Sequence, residues 1–168
     1  MNIEIEKKYI IKLPTDTDMK RCSEYSCAEL TQIYLTSLPG VTHRIRSVSS
    51  EGYLRYFETK KVRIDKMSSY EDEREISEED FLRLKENIAK GTREIKKVRH
   101  TFVYLGQTFE VDVYPEWKST CIMETELDSR EREVMMPDFI EILRDVTGVR
   151  GYSNYAMAYE FPKECDYL

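Results

Sequence analysis

Charged and apolar side chains alternate from the start of this chain, and this alternation constrains the fold more than any other feature. Glu4, Glu6 and Lys8 occupy every second position and alternate with Ile3, Ile5 and Lys7. Alternate side chains of a β-strand share one face, so two carboxylates and an ammonium line up on one surface. Neighbouring carboxylates repel each other unless something neutralises them, and a divalent cation does this well. The alternative interpretation is an edge strand with a solvated charged face.

The same spacing recurs along the chain, and most pairs enclose an apolar or β-branched residue. The pairs at i and i+2 are Arg44 and Arg46, Glu58 and Lys60, Glu73 and Glu75, Lys97 and Arg99, Glu110 and Asp112, and Glu124 and Glu126. One face of each strand must pack against a core, so the charged members collect on the opposite face. Charged strand faces of both signs predict a closed barrel with a charged lumen, because the inner faces of a sandwich are apolar.

The bulk composition fits one domain spanning residues 1–168. A net charge of −6 argues against nucleic acid and anionic membranes as partners. The chain has no apolar run long enough to span a bilayer and enters its first strand without a signal peptide, so we expect a cytoplasmic protein.

Cysteine and histidine usage narrows the choice of metal. The four cysteines show no C-x-x-C spacing, which predicts free, mostly packed thiols. With His43 and His100 as its two histidines, the chain is a poor candidate for a His-rich zinc site. Any metal should therefore be hard and bound by oxygen. The cysteines are Cys22, Cys27, Cys121 and Cys165.

Hydrophobic periodicity and turn residues predict mostly strands with three helices. Strands are expected at 2–12, 32–35, 41–48, 53–62, 71–77, 94–105, 108–114 and 120–128, with a last extended segment at 151–160. Helices are expected from Asp16 or Thr17 to about Tyr25, from a cap at Ser77 to Gly91, and from Met136 to Gly148. This order suggests an internal duplication whose second copy starts near Ser77 or Thr92.

Cations and carboxylates in one cavity require a partner that satisfies both. A polyphosphate with a divalent metal does so, because guanidinium and ammonium groups bind phosphate oxygens while carboxylates hold Mg²⁺ or Mn²⁺. Phosphoryl transfer depends mainly on positioning and charge neutralisation. The sequence contains no P-loop, dinucleotide-binding or nucleophile-elbow motif.

The row Glu4-x-Glu6-x-Lys8 resembles the E-x-E-x-K signature of the CYTH superfamily, also called the triphosphate tunnel metalloenzymes. Further segments resemble the motifs of that family in the same order along almost the whole chain. They are Gln32–Leu35, Arg44–Arg46, Lys60, Glu73–Glu75, Lys97–Arg99, Glu110–Asp112, Glu124–Glu126, Val146–Gly148 and Tyr152–Asn154. The resemblance implies an α+β fold, in which an eight-stranded antiparallel β-barrel forms a tunnel with helices outside.

The resemblance also implies functional residues. Those expected to bind the triphosphate are Lys8, Arg44, Arg46, Lys60, Lys97, Arg99 and Arg150. Those expected to bind one or two Mg²⁺ or Mn²⁺ ions are Glu4, Glu6, Glu73, Glu75, Glu124 and Glu126. Those expected to take part in catalysis are Glu4, Glu6 and Lys8.

Three positions leave alternatives open. Lys61 adjoins Lys60, so the lysine of the family's third strand is assigned only to within one position, with Lys61 interpreted as solvated. Glu71 stands where related enzymes often have an arginine, so one cation is either absent or supplied by Arg74 or Arg150. Arg150 itself is either a helix-end cation or a lumen residue.

The leading functional hypothesis is a metal-dependent hydrolase of a triphosphate, with inorganic triphosphate as the substrate and water attacking a terminal phosphorus. An adenylyl cyclase that converts ATP to cyclic AMP and pyrophosphate is the second hypothesis. A thiamine triphosphatase, for which Trp117 is the hint, and a non-catalytic binder of polyphosphate or nucleotide are the others. Trp117 is otherwise a packing residue. A monomer or a homodimer is expected.

Overall fold

Eight antiparallel strands close into a barrel in the computed structural model, which describes residues 2–164. The closed order is β1-β5-β4-β3-β2-β6-β7-β8, with β8 returning to β1. This confirms the predicted α+β barrel with flanking helices. The strands are β1 (Asn2–Lys12), β2 (Ser23–Leu35), β3 (Val41–Ser50), β4 (Tyr53–Arg63), β5 (Ser68–Ile76), β6 (Ile95–Tyr104), β7 (Gln107–Val113) and β8 (Thr120–Glu126).

Strand β1 has two different partners along one edge. Residues 2–5 pair with residues 68–71 of β5 and close the barrel. Further along the same edge, residues 9–11 pair with a short ninth strand, β9 (Ile142–Asp145). The other edge of β1 pairs with β8 over residues 6–12. The stagger between β1 and β5 therefore leaves an edge that β9 covers.

The apolar strand faces point outward and pack under helices and loops. Tyr9, Ile11, Phe102 and Phe109 form a buried cluster with Met19 of the short helix α1 (Asp16–Lys20). A second outer cluster lies under helix α2 (Glu78–Lys85) and consists of Ile33, Leu35, Ile45 and Phe81. Because these residues pack outside, their charged neighbours in the strands face the lumen.

One end of the lumen is filled by apolar and aromatic side chains. Ile95, Tyr114 and Ile122 are buried there against Met157 and Ala158 of helix α3 (Asn154–Tyr159). Helix α3 thus lies across this end of the barrel, and the charged cavity begins above it.

Helix α2 begins as predicted but ends early. The Ser77 hydroxyl accepts a hydrogen bond from Asp80 N at 3.1 Å and caps the helix. The helix ends at Lys85 rather than Gly91, because the following backbone pairs with the end of β2 instead. Ala89 N donates to Tyr34 O at 2.9 Å, and Thr36 N donates to Asn87 O at 3.0 Å.

Helix α1 is shorter than predicted, and its N-cap lies one residue earlier than the first candidate, Asp16. Thr15, rather than Asp16 or Thr17, is the N-cap, and its hydroxyl accepts from Asp18 N at 3.2 Å. The chain leaves the helix before Tyr25 because residues from Ser23 onward pair with β6.

The prediction of a helix from Met136 to Gly148 is wrong. Residues 142–145 form β9 because the β1 edge beyond β5 needs backbone partners. Lys12 N donates to Glu141 O at 3.0 Å, and Val146 N donates to Lys8 O at 2.9 Å.

The extended segment predicted at 151–160 is also wrong. This region contains a 3₁₀ turn (Arg150–Tyr152) followed by α3, which Ser153 caps through Ala156 N at 3.2 Å. The repeat-like order of elements therefore does not continue to the end of the chain, and an internal duplication stays a prediction.

The cysteines of the described region are free. Cys121 is buried, Cys22 is partly buried and Cys27 is exposed, whereas Cys165 lies outside the described residues. No helix within residues 2–164 has the length and apolar character that a membrane span requires.

Candidate active site

A cavity of about 1680 Å³ occupies the charged part of the lumen. Strands from all sides of the barrel contribute ionisable side chains of both signs to its wall. These are Glu4, Glu6, Lys8, Arg44, Arg46, Lys61, Glu71, Glu73, Arg99, Glu110, Glu124 and Glu126. The sequence prediction of oppositely charged strand faces in one lumen agrees with this arrangement.

Lys8 is the last charged residue of the row on β1, and its ammonium contacts Glu124 of β8. Its Nζ atom is 3.1 Å from Glu124 Oε1 and 3.8 Å from Glu6 Oε1. Burial opposes the charge of Lys8, but the Glu124 and Glu6 carboxylates outweigh it and raise the pKa of the ammonium. Lys8 is therefore a fixed cation.

The two arginines of β3 face Glu73 of β5. Arg46 donates through Nη2 to both Glu73 oxygens at 2.9 and 3.2 Å, and Arg44 Nη2 lies 4.0 Å from the same carboxylate. Both Nε atoms are buried without a hydrogen-bond partner in residues 2–164. Such N–H groups favour an anionic ligand, because a buried donor without a partner costs free energy.

Asp112 organises a second group of cations on β6. It accepts two parallel hydrogen bonds from Arg99, from Nε at 2.7 Å and from Nη2 at 2.8 Å. Lys97 Nζ donates to the same carboxylate at 2.6 Å. Arg99 also lies 2.5 Å from Glu110, so its fork is held in one orientation.

Lys97 does not reach the cavity. Its side chain and that of Asp112 are both 0% exposed, and Lys97 is not part of the cavity wall. Burial and the neighbouring Arg99 lower the pKa of Lys97 to about 8, against the opposing charge of Asp112. Lys97 lies on the same strand face as Arg99, as predicted. Its ammonium is paired with Asp112, however, and is not available to bind a triphosphate in the cavity.

We use the term acidic cluster for the carboxylates of Glu4, Glu6, Glu71 and Glu126. Burial and the hydrogen-bonded Glu4 raise the pKa of Glu126 to about 7. The pKa values of Glu6 and Glu71 are also raised, by burial and then by Glu124 and Glu4, respectively. Glu4 is the exception, because the ammonium of Lys61 outweighs burial and lowers its pKa.

The acidic cluster suits a hard divalent cation. All of its donors are carboxylate oxygens, and burial together with neighbouring carboxylates raises the pKa values of Glu6, Glu71 and Glu126. Glu71 Oε2 is buried and accepts no hydrogen bond within the described region, although Lys61 Nζ lies 3.5 Å away. No three Asp, Glu, His or Cys side chains of residues 2–164 already converge at metal-binding distance. The chemistry of these donors fits Mg²⁺ or Mn²⁺, but the carboxylate side chains must move closer together to bind one ion.

The prediction that Lys60 faces the lumen is wrong, and Lys61 takes that place. Lys60 lies on the outer face of β4, opposite Asp72. Lys61 lies on the inner face, where it forms an ion pair with Glu4. A shift of one residue moves a side chain to the other face of a strand, and the motif alone does not fix this register. The interpretation of Lys61 as solvated is corrected with it.

Glu75 shares the strand face of Glu73 but lies beyond the cavity at the rim. It is exposed and bonds Arg55 at 3.1 and 2.6 Å, so the geometry does not place it with the other expected metal ligands. Arg150 lies in the cavity wall near α3, which agrees with the lumen interpretation.

Glu71 faces the cavity at the position where the sequence resemblance implies a cation. Arg74 cannot replace that cation, because it lies on the outer face and donates to Glu58 at 2.7 Å. On the same outer face, His43 bonds Glu58 at 2.7 Å.

Trp117 packs outside the cavity. Its ring lies 5.7 Å from those of Tyr114 and Phe161, and its indole Nε1 donates to Pro162 O at 3.0 Å. The packing interpretation is therefore correct, and the hint of a thiamine site disappears. Sequence reasoning gave no role to Tyr155 or to Tyr34, although Tyr34 lies in the Gln32–Leu35 motif; both line the cavity. No charge pattern marks these tyrosines.

No protein-family model and no curated protein matches this chain. Among solved structures, the inorganic triphosphatase NE1496 is 26% identical, with a TM-score of 0.61 and coverage of 96% of this chain and 98% of that chain. A conserved hypothetical protein from Pyrococcus furiosus is 25% identical, with a TM-score of 0.56 and coverage of 76% and 82%. HpAC1 from Hippeastrum, named as a candidate adenylyl cyclase with a dominant triphosphatase activity, is 15% identical, with a TM-score of 0.54 and coverage of 97% and 99%.

Proposed function

We propose that this chain, which has the triphosphate tunnel fold of the CYTH superfamily, is a metal-dependent hydrolase of inorganic triphosphate. The observation that carries the proposal is the division of one cavity between two kinds of group. Arginines with free N–H donors lie in the same enclosed space as a cluster of mutually repelling carboxylates. A polyphosphate with a divalent metal satisfies both.

The cations of the lumen would hold the substrate. Arg44 and Arg46 offer their free Nε donors, while Arg99 and Lys8 supply fixed positive charge on the opposite strands. The carboxylate partners of these cations keep them oriented before substrate arrives, so little reorganisation is needed on binding. Lys61 adds a fifth cation next to Glu4.

The acidic cluster would hold Mg²⁺ or Mn²⁺, with Glu4, Glu6 and Glu126 as the expected ligands and Glu71 as a further donor. Glu73 and Glu124, also expected ligands, pair with Arg46 and Lys8 in this structure. When bound, the ion would neutralise charge on the phosphate oxygens and lower the barrier to nucleophilic attack.

Hydrolysis requires a base for the attacking water. The water oxygen forms a bond to a terminal phosphorus, the bond from that phosphorus to its bridging oxygen breaks, and diphosphate leaves. The water proton passes to a carboxylate, for which Glu6 is the better candidate of the first two glutamates. Burial and Glu124 raise the pKa of Glu6, which makes its carboxylate the stronger base, whereas Lys61 lowers the pKa of Glu4.

Product analysis on purified protein tests this proposal. Inorganic triphosphate, ATP and thiamine triphosphate are each incubated with Mg²⁺, Mn²⁺ or EDTA, using the wild type and Glu6→Gln. Glu75→Gln is the matched control, because Glu75 lies at the exposed rim and bonds Arg55.

We expect metal-dependent release of orthophosphate from inorganic triphosphate by the wild type and by Glu75→Gln, and its loss in Glu6→Gln. Formation of cyclic AMP and pyrophosphate from ATP would show that the protein is an adenylyl cyclase instead of a hydrolase. Turnover confined to thiamine triphosphate would show that the substrate is thiamine triphosphate instead of inorganic triphosphate. Tight triphosphate binding without any turnover would make the protein a binder.

A further inference from the structure

The segment that follows α3 runs back over the end of the barrel and is fastened by Glu164. Its Oε1 atom accepts from the backbone N–H groups of Ser119 and Thr120 at 2.7 and 2.8 Å, and from their hydroxyls at 3.0 and 2.9 Å. Its Oε2 atom accepts from Lys118 N at 2.9 Å. One carboxylate therefore satisfies five donors, from the last two residues of the loop between β7 and β8 and from Thr120, the first residue of β8.

The rest of this segment, which we call the strap (residues 160–164), packs on the same loop. Trp117 Nε1 donates to Pro162 O at 3.0 Å. The ring of Phe161 lies edge-on to Tyr114 and Trp117, at 5.4 and 5.7 Å, and the Arg93 guanidinium lies 5.1 Å from it on another side. The strap is thus held by a hydrogen-bonded end and an aromatic middle.

The strap continues directly from α3, and α3 contacts the substrate cavity. Tyr155 of α3 packs edge-on against Tyr34 of β2, with ring centroids 5.4 Å apart. Tyr34 is buried at the cavity wall and lies directly opposite Arg44 in the pairing of β2 with β3. A continuous set of packed groups therefore leads from Glu164 through α3 and Tyr34 to a cation of the proposed triphosphate site.

We propose that Glu164 is a positioning residue: by fastening the strap, it fixes α3 and Tyr34 and thereby the orientation of Arg44 toward the substrate. Arg44 has a long side chain and a buried Nε atom without a hydrogen-bond partner in the described chain, so packing must supply much of its order. The effect on substrate rests on the proposed function, but the fastening of the strap does not.

Tryptophan fluorescence and steady-state kinetics of Glu164→Ala test the inference together. Trp117 is the single tryptophan of the chain, so its emission reports directly on the strap that covers it. We expect emission at longer wavelength with stronger acrylamide quenching. We also expect KM for inorganic triphosphate to rise about tenfold, with kcat changed less than about twofold.

Two further variants separate positioning from general damage. Lys118→Ala keeps its backbone donor to Glu164 and should match the wild type in emission and KM. Glu164→Gln keeps the oxygen that accepts four bonds but turns an amide toward the Lys118 N–H, so it should give intermediate values. If circular dichroism shows that Glu164→Ala does not fold, Glu164→Gln alone provides the test.

The outcomes are distinct. Unchanged tryptophan emission in Glu164→Ala would refute the claim that Glu164 fastens the strap. Changed emission with an unchanged KM would refute the claim that the strap orients Arg44. If the wild type does not hydrolyse triphosphate, the proposed function fails. In that case the emission of Glu164→Ala still tests the fastening of the strap. The affinity of wild type and Glu164→Ala for inorganic triphosphate, measured by calorimetry in EDTA, then tests the effect on Arg44.

Discussion

Replacing Asp112 by asparagine should destabilise the protein strongly, because Asp112 neutralises two lumen cations at once. Its side chain is 0% exposed, it accepts two bonds from Arg99 and it bonds Lys97 at 2.6 Å. Asparagine has nearly the same shape but no charge, so the change isolates the electrostatic contribution. Arg99 would keep Glu110 and the more distant Glu124 as partners.

The magnitude follows from the two cations separately. Because the pKa of Lys97 is about 8, releasing its proton at pH 7 costs roughly 1 kcal/mol, and this limits the loss at this residue. Arg99 cannot deprotonate, and losing a charged partner for its fork costs about 1.5–3 kcal/mol. The sum, about 3–4 kcal/mol, lies within the usual range for breaking a buried ion pair. For a chain of this length it corresponds to a fall in Tm of roughly 10 °C.

Urea denaturation of Asp112→Asn and wild type at pH 6, 7 and 8 measures this difference in the free energy of unfolding. The penalty should shrink as pH rises toward 8, by about 1.4 kcal/mol per unit, because Lys97 then releases its proton more easily. Lys97→Met provides the control, since Asp112→Asn in that background should lose the pH dependence and keep the Arg99 contribution. A penalty below about 1 kcal/mol, or one independent of pH, would refute the reasoning.

Three further predictions concern the cavity wall. Lys61→Met should raise KM for inorganic triphosphate about tenfold, as expected for a cation lost from an enclosed site, and Lys60→Met should not; equal effects in steady-state assays would contradict the assignment of faces. Gly148→Ala should destabilise by about 1–3 kcal/mol in urea denaturation, because φ is +70° and a Cβ would lie 2.8 Å from that of Lys66; a neutral substitution would show that this loop adjusts. Burial and Glu4 raise the pKa of Glu126 to about 7, so ionised Glu126 destabilises the folded protein increasingly as pH rises from 4.5 through 7. Glu126→Gln should therefore stabilise the metal-free protein at pH 8 but not at pH 4. The same variant should weaken Mg²⁺ binding in calorimetry. A loss of stability at pH 8 would contradict the repulsion.

The barrel was predictable because its signal is local. Charge alternation in the Glu4, Glu6 and Lys8 row fixes which face of β1 points inward, and the other pairs repeat that rule with neighbouring apolar residues facing out. Turn residues also predict most strand boundaries, as at the hairpin after β6, where Gly106 adopts a φ of +74°.

The failures arise where distant parts of the chain compete for the same segment. Phe139, Ile142, Leu143 and Val146 have helical spacing, yet 142–145 forms a strand because the stagger of the barrel leaves an edge of β1 unpaired. Nothing near residue 142 in the sequence indicates that edge.

The site could be predicted strand by strand but not side chain by side chain. The Glu58 and Lys60 pair looks like the other charged pairs, but both residues face outward, where Glu58 bonds His43 and Arg74. The role of Asp112 as a shared partner of Lys97 and Arg99 likewise depends on pairing between β6 and β7, which spacing alone does not show.

Hydrolysis of inorganic triphosphate in ¹⁸O-labelled water, with mass analysis of the products, tests the central claim most directly. Attack of water on a terminal phosphorus within the lumen predicts one ¹⁸O atom in each orthophosphate and none in the diphosphate, with turnover abolished by EDTA. Label in the diphosphate instead would place the attack on the central phosphorus. Absence of metal-dependent labelling in either product would contradict the assignment of this cavity as a triphosphatase site.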